Sequence, residues 1–461
     1  MFVPIRHKIQ GGSMFKKLTN GCIALVQKYL PDAFLFAVIL SIIVFVLGIF
    51  MTGQTPMAMV QHWGNGFWSL LSFSMQMALV VVTGFVLADT KVVKRFLDKL
   101  AGIPKSPKGA IYMVSVVSLI AMFINWGFGL VVGPLFAKRL AKRVKGVDYR
   151  LLIATGYASI ANWHGGISGS IPLKMASGGL EAETAGALTV AIPTSQTIFS
   201  HWNLIIQLAI LIIIPLVNRA MHPDPEHTVE VDPRLLEDDV VIRKGKSEMT
   251  PAERMESSMV LSMIIGVGGL AYIIWHFTTK GFDLNLNIVN FIFLFSAILL
   301  HGNPKDFLDS INRAARGVGG VILQFPFYAG IMGMMIGKNA EGVSVAIIMS
   351  NAFVAISTPM TFPLYTYLSA GVVNFFVPSG GGQWAVQAPI MMPAGASLGV
   401  NPAITGMAIA WGDAWTNLIQ PFWALPSLAI AGLGARDIMG YCIIDLFVVG
   451  VITVLGFIFL V

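Results

Sequence analysis

Apolar residues in this chain gather into long runs separated by short polar stretches. The runs are 33–51, 68–88, 109–123, 151–171, 200–217, 259–277, 288–300, 317–336, 362–377, 402–425 and 438–461. At about 1.5 Å of rise per residue, roughly 20 residues of helix cross the hydrocarbon of a bilayer. Several runs reach that length and predict membrane-spanning helices. A few fall short, and their shortness is informative.

Composition agrees with this reading. Of 461 residues, 56% are hydrophobic and only 11% charged, where a soluble domain carries about 25% charged residues. Mean hydropathy is +0.76. These values disfavour a soluble enzyme, a nucleic-acid binder and a disordered regulator. The net charge of +7 matters less than its placement. Of 30 Lys and Arg residues, five precede the first run, six lie in 90–108, six in 138–150, six in 218–257, three in 302–316, and one is Arg436. Cytoplasmic loops carry the Lys/Arg excess. The N-terminus is therefore expected inside and the uncharged stretch 52–67 outside, with Lys174, Lys280 and Lys338 on or near outer loops. The first apolar run is long, begins late and lacks a small-residue cleavage motif, so no cleavable signal peptide is expected; Met14 is an alternative start. Cys22 and Cys442 stand far apart in apolar context and read as free thiols.

This topology creates a length problem. Segments 90–108 and 138–150 are both basic, yet only residues 109–137 lie between them. Two full crossings need about 40 residues. The chain is expected to enter the membrane, turn near Asn125-Trp126-Gly127-Phe128-Gly129, and leave by the same side as a re-entrant hairpin. A second hairpin is expected over 362–397, turning at Val377-Pro378-Ser379-Gly380-Gly381-Gly382, because Pro and Gly in an apolar run end a helix. It opens to the outside when crossings are counted from 302–316. Each hairpin is followed by an apolar run with a polar centre, Ala158–Ser170 in the first half and Ala410–Pro421 in the second.

The predicted fold class is thus an all-α polytopic membrane protein with inverted structural repeats, each holding a re-entrant helical hairpin and a broken transmembrane helix. Its expected parts are 1–67 (N-terminal segment and first span), 68–217 (first repeat, hairpin 109–137), 218–257 (cytoplasmic linker), 258–316 (connecting spans) and 317–461 (second repeat, hairpin 362–397). Inverted repeats of this kind are common in secondary transporters, whose sites lie where discontinuous helices meet.

Buried anions need donors, and helix N-termini supply them. The expected substrate-binding residues are Asn125, Gly127 and Gly129 at the first tip, Ser379, Gly380, Gly381 and Gly382 at the second, and Asn162 and Asn417 in the broken spans. Trp126, Phe128 and Trp384 are the apolar neighbours for a short tail. Ionisable groups at membrane depth are functional candidates, so Asp413 and His164, with Thr416 and Ser168, are the coupling-ion candidates. The ion is Na⁺ or H⁺; the scarcity of buried carboxylates leans to backbone-and-hydroxyl ligation of Na⁺. Asp445, away from the polar centre, reads as structural. No HExxH, phosphate-binding loop or Cys/His cluster occurs, so neither catalysis, a firmly expected metal site nor an organic cofactor is anticipated.

Several runs resemble the bacterial short-chain fatty acid transporter family (AtoE type): Trp63–Trp68, Ile124–Gly133, Gln324–Gly330, Val377–Gly382, Gln420–Pro426 and Ala429–Tyr441. The resemblance extends from about residue 14 to the end. It implies ion-coupled uptake of short monocarboxylates such as butyrate or acetoacetate across a bacterial inner membrane, with no nucleic-acid partner. Through a broader group of ion-coupled carboxylate transporters it also implies a homodimer and elevator-like motion. The alternatives are a dicarboxylate or other small organic anion transporter of the same fold, or a passive anion channel.

Overall fold

The computed structural model describes residues 33–236, 245, 248–316 and 318–461. Cys22, Met14 and the five basic residues before the first run lie outside the described residues. Every regular element among the described residues is helical. The first half comprises α1 (Ala33–Thr52), α2 (Pro56–Gly66), α3 (Leu71–Ala88), α4 (Lys91–Leu100), α5 (Pro107–Ile124), α6 (Trp126–Arg143), α7 (Tyr149–Ala158), α8 (Ser170–Ser177) and α9 (His201–Ala220). Next come α10 (Pro251–Glu256), α11 (Met259–Lys280), α12 (Leu286–His301) and α13 (Pro304–Ala315). The second half comprises α14 (Gly319–Ile336), α15 (Val345–Ile356), α16 (Phe362–Val373), α17 (Gly380–Ser397), α18 (Pro402–Asn417), α19 (Pro421–Ala431) and α20 (Ala435–Phe459).

Among the described residues, six helical stretches are long and apolar enough to cross a membrane: Phe34–Thr52, Leu71–Ala88, Pro107–Ile124, His201–Ala220, Pro251–Lys280 and Ala435–Phe459. Their outward faces are apolar. Phe50 on α1 is 83% exposed, and Ile264 and Val267 on α11 are exposed as well. Polar side chains instead occupy the interior, among them Asn125, His164, Asn374, Asp413 and Asn417. In water this distribution would be unstable; in hydrocarbon it puts each polar group beside the partners that lipid cannot offer.

Two helical hairpins organise the interior. Ser106 accepts from the N–H of Gly109 and, with Pro107 in the first turn, starts α5. Asn125 alone then makes the turn: its extended backbone (φ −156°, ψ 126°) stops α5, and its Oδ1 accepts from the N–H of Phe128 at 2.9 Å to open α6. The arms pack on one another, and α6 also lies along α3. The second pair of helices joined by a short turn is α16 and α17. Ser379 opens α17 from a similar conformation (φ −159°, ψ 118°). Each hairpin precedes a broken helix, α7–α8 or α18–α19, and then a long helix, α9 or α20.

The structure adds three details. The first hairpin is longer than 109–137, because its arms continue to Pro107 and into the basic end at Arg143. The stretch 52–67 is mostly α2, packed on α14. Part of the 218–257 linker is tied to the body: Tyr149 donates its N–H to the Val229 carbonyl at 2.8 Å, and Val229 donates its own to Asp148 at 2.9 Å.

Candidate functional site

The hairpin tips meet two broken segments at the protein centre. Helix α7 runs into a 3-10 turn at Ser159–Asn162, and the chain then loops until α8 begins at Ser170. This loop docks on the first tip. Ser168 accepts from the N–H of Trp126 at 2.9 Å, and Ile167 donates its N–H to the Phe123 carbonyl at 2.7 Å. Between α18 and α19 the break docks on the second tip. Gln420 donates to the carbonyls of Asn374 (3.0 Å) and Phe375 (3.3 Å), and Trp423 Nε1 donates to the Pro378 carbonyl at 2.8 Å.

Aromatic rings join the two assemblies. Trp163, from the first break, lies 5.5 Å from Trp126 and 6.5 Å from Trp423 between ring centroids, and Trp126 lies 5.6 Å from Trp423. With Met122, Leu130 and Ile160 these rings line an apolar cavity of about 10 Å³, room for about one water. Beside it stand buried donors. Asn125 Nδ2, Trp126 Nε1 and Trp163 Nε1 have no acceptor among the described residues. A buried N–H left unpaired costs about 1–3 kcal/mol, so these three, two on the tip and one on the break docked against it, form a local excess of donors that an anion would satisfy.

A second polar cluster lies behind the second tip. His164 stacks on Trp163 at 3.6 Å between centroids. Its Nδ1 lies 2.8 Å from the Ala410 carbonyl and 3.2 Å from Asp413 Oδ2. Asn417 Nδ2 donates to Asp413 Oδ2 at 3.0 Å. Asn374 Nδ2 reaches the Asp413 carbonyl (3.1 Å), Thr416 Oγ1 (2.9 Å) and Asn417 Oδ1 (2.8 Å). Thr416 donates onward to the Gly371 carbonyl at 3.0 Å. Amide N–H groups fill part of this cluster, while Asp413 Oδ1 and Asn374 Oδ1 are buried without a donor among the described residues. His164, Asp413, Asn374 and Asn417 are all fully buried.

The structure therefore brings Asn125, Ser168, His164, Asp413, Thr416, Asn417, Ser379 and Gly380 into one connected region. It separates others. Gly127 lies against the α3 backbone at Val80 and Val81, and Gly129 against Met122 of the opposite arm; both permit close helix packing. Gly381 faces Phe325 and Phe73, and Gly382 faces Tyr328. Asn162 donates to the Leu119 carbonyl at 3.3 Å and lines a different cavity with Leu204 and Gln207. Trp384 donates to Glu183 at 2.8 Å instead of facing the tips. Sequence reading passed over Asn374, whose signal was its place one turn before Pro378-Ser379, and gave no site role to Trp163 and Trp423. Tyr157 is also part of the frame, its hydroxyl donating to the carbonyls of Asn417 (2.6 Å) and Gln420 (3.0 Å).

Known proteins resemble the chain along its length. The family model described as short chain fatty acid transporter matches residues 14–460. The chain belongs to this family. Two relatives, each named "Putative short-chain fatty acid transporter", are similar throughout. The Escherichia coli protein is 43% identical over 444 residues, covering 96% of this chain and 99% of the relative. The Haemophilus influenzae protein is 42% identical over 456 residues, covering 97% and 100%. Among solved structures, the Alcanivorax borkumensis YdaH transporter, described as having an unusual topology, superposes with a TM-score of 0.57 at 16% identity, over 93% of this chain and 97% of that one. Neisseria gonorrhoeae MtrF, from a class of antimetabolite efflux pumps, gives 0.53 at 14% identity over 96% of each. These likenesses establish a shared fold. Family and fold make the chain a membrane transporter for a small molecule rather than an enzyme.

Proposed function

We propose that this transporter imports short-chain fatty acids such as butyrate or acetoacetate by ion-coupled symport. The observation that carries the reading is the pairing of three acceptor-less buried donors with an apolar cavity at the first hairpin tip. A monocarboxylate has a head that accepts such hydrogen bonds and a short tail suited to Trp126, Trp163, Trp423 and their aliphatic neighbours. The cavity is too small for the solute, so loading requires the tips to part, and a closed centre supports alternating access over a passive channel. Anion entry against a negative-inside potential costs about 2.3 kcal/mol per charge per 100 mV, and a co-transported cation offsets it.

The recurrence of hairpin, broken helix and long helix supports two inverted repeats with re-entrant hairpins. Sorting of Lys and Arg supports a cytoplasmic N-terminus, and the family supports a bacterial inner membrane. Homodimeric assembly belongs to the same reading. A dicarboxylate fits less well: Lys174, whose side chain is 13% exposed, is already committed to Glu183 at 2.7 Å and to the face of Phe73.

The test is uptake of labelled butyrate into proteoliposomes under separately imposed pH and Na⁺ gradients, with protein-free liposomes subtracted to remove diffusion of the free acid. Saturable accumulation under one gradient is expected. Equilibration without accumulation under both would refute symport.

A further inference from the structure

We infer that the coupling ion is a proton and that His164 carries it, presenting it from Nε2 to the substrate carboxylate at the N-terminus of α17. This rests on the carboxylate reading above and adds the ion, the residue and a second contact for the carboxylate head, which would bridge the donors of the first tip and the N-terminus of α17.

The tautomer follows from the contacts. Nδ1 faces two acceptors, the Ala410 carbonyl at 2.8 Å and Asp413 Oδ2 at 3.2 Å, so Nδ1 holds a proton. In the neutral ring Nε2 then bears only a lone pair. Nε2 is buried without a partner, and the side chain is wholly inaccessible. It points at Gly380, the first residue of α17: a methyl group there would collide with Nε2, Cε1 and the Trp163 ring. The opening N–H groups of a helix lack intrahelical acceptors and carry partial positive charge. The side chain whose polar atom faces Gly380 is thus a base with an unused nitrogen, set among the rings of Trp163, Phe325, Phe73 and Tyr328. A carboxylate held there would meet lone-pair repulsion from neutral His164. It would meet an N–H donor from the protonated ring.

The surroundings fit a single exchangeable proton. Asp413 on α18 is the titratable group in contact with the ring among the described residues; the other neighbours given by the structure are Trp163, Gly380 and the Ala410 carbonyl, none of which titrates. Asp413 balances an imidazolium, and Asn417 holds its orientation. Loading forms one N–H bond at Nε2 with a proton drawn from the entry side and adds one anion, so the net charge of the site is unchanged. Unloading breaks that bond on the other side.

The experiment is calorimetry of butyrate binding to the full chain in detergent, at several pH values and in buffers of different ionisation heat. The heats count the protons taken up per butyrate bound. Close to one is expected for the wild type at alkaline pH, without a Na⁺ requirement, and close to zero for His164→Gln, which keeps a donor but cannot ionise. His164→Ala should bind at least about tenfold more weakly, the loss of one charged hydrogen bond. Saturable binding with no proton uptake, or with an absolute need for Na⁺, would overturn the assignment while sparing the carboxylate reading. An unchanged proton count in a monodisperse His164→Gln would overturn it too. A wild type that binds no short carboxylate removes the substrate reading and this proposal with it.

Discussion

The imidazole Nδ1 of His164 lies 3.2 Å from Oδ2 of Asp413, and neither side chain is accessible to solvent. One residue comes from the first broken helix and the other from the second, so the contact joins the two halves at their polar centres. Asp413→Asn preserves shape but removes the charge that balances a protonated ring. Stranding a buried charge costs about 3–5 kcal/mol, so gradient-driven butyrate accumulation should fall at least about tenfold, measured in proteoliposomes at equal protein content. Undiminished accumulation would show that the pair is only structural.

Gly380 leaves no space for a side chain beside His164 and Trp163. Both obstacles are rings within a buried stack, so neither can swing away cheaply. Gly380→Ala should reduce uptake by at least about tenfold and lower stability by about 1–3 kcal/mol, the range for overpacking. Thermal unfolding in detergent and an uptake assay measure the two effects separately.

Asn374 bonds through one amide nitrogen to three oxygens on α18. Asn374→Ala leaves those acceptors without that donor in a dry interior. At about 1–3 kcal/mol for each unsatisfied group, destabilisation of about 3 kcal/mol is expected, read as a drop in unfolding temperature. A shift near zero would show that water or neighbouring groups replace the amide.

Trp423 ties the second break to the second tip through Pro378. Trp423→Phe keeps an aromatic ring and removes the bond, at a cost of about 1 kcal/mol. Hydrogen exchange at the backbone of residues 379–383 should quicken by a few-fold, while exchange in the distant helix α11 should not change.

Asp89, just beyond the end of α3, gives a pH prediction. Burial pushes its carboxyl up, but Lys94 at 2.6 Å, Ser310 and Arg313 outweigh that and hold it below the ordinary value of 3.8. A carboxyl lowered in the folded state contributes stability above its unfolded value and loses it as pH falls through the folded one. Asp89→Asn should therefore destabilise the protein near neutral pH. The gap to the wild type should close below about pH 4, as Asp89 itself becomes protonated. A pH-independent gap would assign the loss to packing.

The sequence by itself determined that this chain lives in lipid, that it turns at Asn125 and at Pro378–Gly382, and that its helices break near Asn162–Ser168 and Asp413–Gln420. These are local consequences of apolar run length, of Gly and Pro in a helix, and of side chains that cap the next turn. A capping Asn or Ser needs only the three residues after it. What those breaks face was decided by tertiary structure. Gly127 and Gly129 look like a ligand cradle in one dimension, yet they serve helix packing, because the atoms that fill their space come from Val80, Val81 and Met122. Asn374 looked unremarked in an apolar run until α18 folded three oxygens around it. The meeting of His164 with Asp413 and Gly380 depends on three segments distant in sequence, and no periodicity records such a contact. Chain-local steric rules fix where a helix must end; only the packed interior fixes which nitrogen is left without a partner.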